Sequence, residues 1–147
     1  MDYCSILWDN SRCVHILSLA QKRAARIILD NNDYQYPSKE MFSQLKWMPI
    51  RDRFNYRKAI MVFKSRNKLT PVYMTEMFKT IGETHSRVTR ASQREDLYLP
   101  GGRHKKLYTD SFAYSGALIW NSLPVNVRNC ESLASFKSSY IKNYHSK

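Results

Sequence analysis

Apolar residues recur along this chain at three- and four-residue spacing, and the strict alternation of a half-buried strand is nearly absent. In SRCVHILSLAQKRAARIILD, the positions Val14, Leu17, Ala20, Ala24, Ile27 and Ile28 mark one face of a helix over residues 11–29. Lys22, Arg23 and Arg26 fall on the other face. Asn10 or Ser11 is a suitable N-cap, and Asp30-Asn31-Asn32 closes the helix into a polar turn that ends at Pro37. Ser38 is placed to cap a short helix, KEMFSQL, with Met41, Phe42 and Leu45 inward, and Trp47-Met48-Pro49 interrupts it.

Pro49 suits the first turn of a longer helix reaching residue 66, where a missing N–H costs nothing. That helix changes character halfway. IRDRFNYRK is basic, with Ile50, Phe54 and Tyr56 spaced along it, whereas AIMVF, ending at Phe63, is apolar all round and predicts burial. Thr70-Pro71 opens a brief helix over VYMTEMFK. Periodicity then fails over residues 82–107, where only Leu97-Tyr98-Leu99 resembles a strand, and the spacing predicts an irregular, mobile basic segment. It resumes in SFAYSGALIWNSLP. The small residues Ser115, Gly116 and Ala117 admit a close neighbour, while Phe112, Tyr114, Ile119, Trp120 and Leu123 supply core area. Ser132 caps a last helix with the stripe Leu133, Phe136, Tyr140, Ile141 and Tyr144. The expected architecture is mainly α, with five or six helices in one compact, bundle-like domain and at most one short β element. Its parts would be residues 1–81, 82–107 and 108–147, the last packing on the first.

Length agrees with one domain, since 147 residues are too few for two ordinary ones. No apolar run approaches the ~20 residues of a membrane span, so no membrane partner is expected. The opening MDYCSILWDN lacks the basic start of a signal peptide. Three cysteines, none in a CxxC pair, argue against a disulfide framework and for a reducing compartment, cytoplasm or nucleus.

Charge changes the picture more. The chain carries +12, and residues 38–70 hold nine basic and two acidic side chains, a net +7. Such a surplus favours a polyanionic partner, because neutralising phosphates releases condensed counterions. Along the long helix and its exit, Arg53, Arg57 and Lys64 share a face, with Lys68 one turn on. Lys22 and Arg26 form a smaller set, and Arg87, Arg90 and Arg94, interleaved with Thr and Ser, read as an arm that orders on nucleic acid. The four histidines stand at no zinc-ligand spacing, and neither a nucleophile–base pair nor a phosphate loop is visible. No catalytic residue, metal or cofactor is therefore expected.

The residues also carry a resemblance. SFAYSGALIWNSLP followed by VRNCESLASFK resembles the SF…Y…WN-x-LP…S…FK ending of reverse transcriptases from LINE-type, jockey-like non-LTR retrotransposons. DYCSILWDN resembles their DYC…W motif, LAQKRAARIILD their LQ…A-x-R-x-I helix, and LKWMPIRDRFNYRKAIMVFKSRNKLTPVYM their WLP…R…Y…K…P-x-Y region. Thr89-Arg90 and LYLP (97–100) sit where the family has its TR and L-x-x-P. The likeness runs through the whole chain in order. It implies an RNA-directed DNA polymerase whose two-metal carboxylate site, with its paired Asp, lies upstream; this sequence has no Asp-Asp pair. The chain would begin in a thumb remnant and form a non-catalytic C-terminal fragment. Its expected partners are RNA or an RNA–DNA hybrid and the missing polymerase domains. The alternatives are a structural or protein-docking module, and a relic without independent function.

Overall fold

The computed structural model describes residues 13–84, 89–99 and 109–145. These residues are mainly helical. Among them lie α1 (Cys13–Ile28), α2 (Ser38–Gln44), α3 (Ile50–Arg66), α4 (Val72–Glu76), α5 (Ile81–Thr84), α6 (Arg90–Gln93), α7 (Phe112–Ser122), α8 (Val125–Arg128) and α9 (Leu133–His145). The number exceeds the five or six expected because single helical turns, α5, α6 and α8, stand between the longer helices. The β content of the described residues is one isolated antiparallel bridge, Thr80 to Leu97. Contacts divide the chain into two compact units, Met1–Asn55 and Tyr56–Lys147, and the division falls inside α3.

In the first unit, Val14, Ile50 and Phe54 form one buried cluster, with Leu17 against it. A second joins Ala25, Met41 and Phe42, with Leu29, Tyr36, Leu45 and Trp47 half-buried around it. The inward face of α1 thus keeps Val14 and Leu17 of the stripe the apolar spacing predicts but departs from it farther along. Ala20 is exposed, and Ile27 and Ile28 are 80% and 58% exposed. The reason is a polar residue. Gln21 donates from Nε2 to the Met48 carbonyl and accepts from the Ile50 N–H through Oε1, each at 2.9 Å. Its amide satisfies the first N–H of α3, which turns α1 so that Val14, Leu17, Gln21 and Ala25 face inward. Two caps also differ from expectation. Pro37 and Pro71 are the N-caps of α2 and α4, with no side-chain cap bond, and Thr70 instead donates to Ser65 Oγ at 3.3 Å.

Four helices stop without glycine. Asp30, Lys46, Lys68 and Glu95 have φ of 48°, 53°, 56° and 53°. Each lies where the next residue's N–H reaches back five positions to a carbonyl: Asn31 to Arg26, Trp47 to Phe42, Leu69 to Lys64, and Asp96 to Ala91. The residue's own N–H reaches back three, which completes the Schellman pattern at the ends of α1, α2, α3 and α6. A left-handed non-glycine residue costs about 1–2 kcal/mol, so the capped carbonyls and the packing beyond each turn must offset that strain.

The second unit is built on one core. Ala59, Val62 and Phe63 of α3 meet Phe78, Leu97, Ala117, Trp120, Leu123, Val127, Phe136 and Tyr140. Phe136, wholly buried, stacks on Phe63 at 4.5 Å and on Trp120 at 5.9 Å between ring centroids. Phe112 packs edge-on against Phe78 at 5.3 Å. Gly116 is required by this crowding, since a Cβ there would lie 3.0 Å from Val62 Cγ2 and 3.2 Å from the rings of Phe112 and Phe78. The small-residue run of α7 therefore admits α3. Tyr114 stays half-buried outside this cluster; its N–H is the one that the Ser111 cap accepts, at 3.2 Å. Ser132 caps α9 in the same way, accepting from the Ser135 N–H at 3.1 Å.

Part of the 82–107 segment, residues 89–99, holds a helical turn and one bridge. Thr89 caps α6 through a reciprocal pair with Ser92, and Leu97 is fully buried. Bonds from the Ile81 N–H to the Asp96 carbonyl and from the Tyr98 N–H to the Lys79 carbonyl form the bridge. In such a pairing the N–H and C=O of Leu97 point away from Thr80. The side chain of Asn121 meets them, accepting from the N–H at 2.8 Å and donating to the carbonyl at 2.9 Å. One amide of α7 thus takes the place of a neighbouring strand.

Candidate nucleic-acid interface

The long helix and its exit hold Arg51, Arg53, Arg57, Lys58, Lys64, Arg66 and Lys68 against one carboxylate, Asp52. Arg51, Arg53 and Lys68 are exposed, and Arg57, Lys64 and Arg66 are half-buried. Lys58 is different. It is 2% exposed, and its ammonium donates to Ser115 Oγ at 2.8 Å, so it belongs to the seam between α3 and α7. The aromatic beside it, Tyr56, packs on Tyr140 at 5.1 Å, and burial pushes its phenol above the usual tyrosine range, partly opposed by Arg57.

The other candidate basic residues differ in their situations. Lys22 is half-buried on α1. Arg26 is committed to its own turn: its guanidinium sits 5.1 Å over the Tyr34 ring, and Nη2 donates to the Tyr34 carbonyl at 3.1 Å. It closes the α1–α2 connection, which weakens the expectation that it meets phosphate. Arg90 is exposed at the start of α6, and Arg94 is 62% exposed while reaching Asp96 Oδ2 at 3.1 Å. Arg87, with His85, His104, Tyr108 and the Gly101-Gly102 pair, lies outside the described residues.

A group that the charge pattern did not single out surrounds Asp96. This carboxylate is buried and shared between two arginines, Arg94 on one oxygen and Arg128 Nη1 on the other at 2.9 Å. Arg128 is the more enclosed, with a side chain 7% exposed and an Nε that is buried without a hydrogen-bond partner. Beside the pair opens a cavity of about 240 Å³ lined by three guanidinium side chains, Arg66, Arg94 and Arg128. The amides Asn67 and Asn129 and the carboxylate of Glu95 also line it. No sequence signal marks Arg128, because a single arginine in PVNVRN reads as a turn residue until the core is assembled. Glu83, near Arg66 and Lys79, is held below the usual carboxylate range, first by the Thr80 N–H that it accepts at 2.6 Å, with burial opposing, and then by the Thr80 side chain and those cations.

Among the described residues no group of three His, Cys, Asp or Glu side chains is placed to hold a metal ion, and no helix is long and apolar enough to cross a membrane. The described histidines, His15 and His145, are exposed. Comparison with protein families, with curated proteins and with solved structures finds no match for this chain.

Proposed function

We propose that the chain is a non-catalytic, nucleic-acid-binding region of a LINE-type reverse transcriptase, holding RNA or an RNA–DNA hybrid by its backbone. One observation carries the reading: six solvent-accessible cations on α3 and its exit stand against a single carboxylate. Guanidinium and ammonium groups in that proportion supply sequence-independent affinity through phosphate contacts. Arg90 and Arg94 add a second basic position on α6 and its exit. The resemblance of SFAYSGALIWNSLP and the motifs before it supplies the family. On this reading the polymerase chemistry belongs to domains outside this sequence, and the protein is intracellular.

The test is a salt titration. Replacing Arg53, Lys64 and Lys68 with Gln removes three phosphate contacts, and at Arg53 and Lys64, which lie within α3, helix propensity changes little. Binding to single-stranded RNA should weaken for all sequences alike, and the log–log salt slope should flatten by about two. A folded triple variant with unchanged affinity and slope would sink the proposal. A second reading, a protein-docking module, draws on the exposed apolar stripe Ile16, Leu19 and Ile27 of α1 and on Leu69, Val72 and Tyr73 before and within α4. That outcome would favour it.

A further inference from the structure

We propose that the cavity between Arg66, Arg94 and Arg128 is a binding site for one phosphate group. The inference goes beyond the nucleic-acid reading, and free inorganic phosphate alone can test it.

The chemistry is that of the donors. A guanidinium presents paired N–H groups in a planar fork that matches two oxygens of a phosphate, and three such side chains line this space. Arg128 provides the built part of the site. Its side chain is 93% buried, its Nη1 is fixed on Asp96 at 2.9 Å, and its Nε–H is left without an acceptor. Arg128 lines the cavity, and a buried charged donor of this kind is costly unless an acceptor meets it. Asp96 orients Arg94 and Arg128 without exhausting them, because each binds a different carboxylate oxygen.

The surrounding charges set the strength. The cations Arg66, Arg94, Arg128 and Lys79 are opposed by Asp96, Glu95 and Glu83, which leaves a surplus of one. Glu95 lines the cavity but is exposed, so solvent screens its repulsion. Modest affinity follows, in the range of a site that recognises one group of a larger ligand.

Size and shape choose the phosphate over a whole nucleotide. The cavity, about 240 Å³, is below the ~300–1,000 Å³ of pockets that enclose drug-sized molecules. Trp120 lines it, but that ring is 5% exposed and already stacked on Phe136, so no aromatic face is open to a base. The source of the phosphate is then either the free ion or a phosphate carried by nucleic acid.

The experiment titrates the intact chain with inorganic phosphate against sodium chloride at matched ionic strength, following arginine Nε–H resonances by NMR. Phosphate should move the Arg128 Nε–H signal saturably, and Arg66→Gln and Arg94→Gln should each weaken the phosphate by about tenfold or more. Arg66 ends α3 and the exposed Arg94 follows α6, so both substitutions remain informative even if Arg128→Gln fails to fold. An Arg128 signal that responds equally to chloride, or phosphate binding that survives both substitutions, overturns the site. A second arm compares RNA oligonucleotides with a terminal phosphate or a terminal hydroxyl. Preference for the phosphorylated end, lost in Arg66→Gln, assigns the site to nucleic acid; phosphate binding without that preference supports the site for the free ion. Failure of all RNA binding while inorganic phosphate still binds removes the nucleic-acid reading and leaves this one standing.

Discussion

Asn121 offers the sharpest test of how the second unit is held together. Its amide is the acceptor for the N–H and the donor to the C=O of Leu97, a residue with no exposed surface. Truncation to Ala strands both backbone groups. Each buried orphan costs about 1–3 kcal/mol, which brackets the loss at about 2–6 kcal/mol. Asn121 is itself half-buried, so water can enter the space that Ala leaves and recover part of one bond. Asn121→Ala should therefore cost about 2–3 kcal/mol. Asn121→Leu fills the space with hydrocarbon, keeps water out, and should cost more than Ala despite its greater apolar area. Asn121→Asp retains the acceptor for the N–H but sets a carboxylate against the Leu97 carbonyl, and at neutral pH should be no better than Ala. Urea melts followed by tryptophan fluorescence give the stabilities. Hydrogen exchange at the Leu97 amide should accelerate about 30- to 150-fold in the Ala variant, the factor that 2–3 kcal/mol implies. An Ala variant within 0.5 kcal/mol of the parent, with Leu97 still protected, would refute the bridging role.

Two further outcomes are expected. Trp120→Ala should destabilise the chain by about 3–5 kcal/mol in denaturant melts, because the ring is 5% exposed and stacked on Phe136; a melt matching the parent would remove Trp120 from the core. Burial raises the Tyr56 phenol, so between the unfolded value near 10 and the higher folded value the native state holds the extra proton. That contribution is complete below about pH 10 and is lost as pH rises through the folded value; Tyr56→Phe should lose less stability than the parent between pH 9 and 11, and parallel curves would count against the shift.

Local signals were enough for the helical class. Three- and four-residue spacing in α1, α3 and α9, the Ser111 and Ser132 caps, and the all-apolar AIMVF run each act within a few residues, so they are readable in one dimension. Charge is likewise additive along the chain, which is why the basic stretch of α3 stands out before any fold is known. The ends of the first two helices were signalled by Asp30-Asn31-Asn32 and Trp47-Met48-Pro49, but the left-handed conformation at Asp30, Lys46, Lys68 and Glu95 was silent, because such a cap is announced by glycine and none stands there. The later part of the inward face of α1 was misjudged, since the gain from Gln21 depends on two backbone groups 27 and 29 residues away. The same distance rule hides the cavity. Arg66, Arg94 and Arg128 lie on three short sequence segments with nothing in common, and only the collapse around Phe63, Leu97 and Phe136 brings their guanidinium groups to one space. Tertiary packing also divided the basic residues by role, burying Lys58 against Ser115 and locking Arg26 on Tyr34 while leaving Arg53 and Lys68 exposed to solvent. Charge count cannot foresee that division, because burial is a property of the neighbours a side chain acquires and not of the side chain itself.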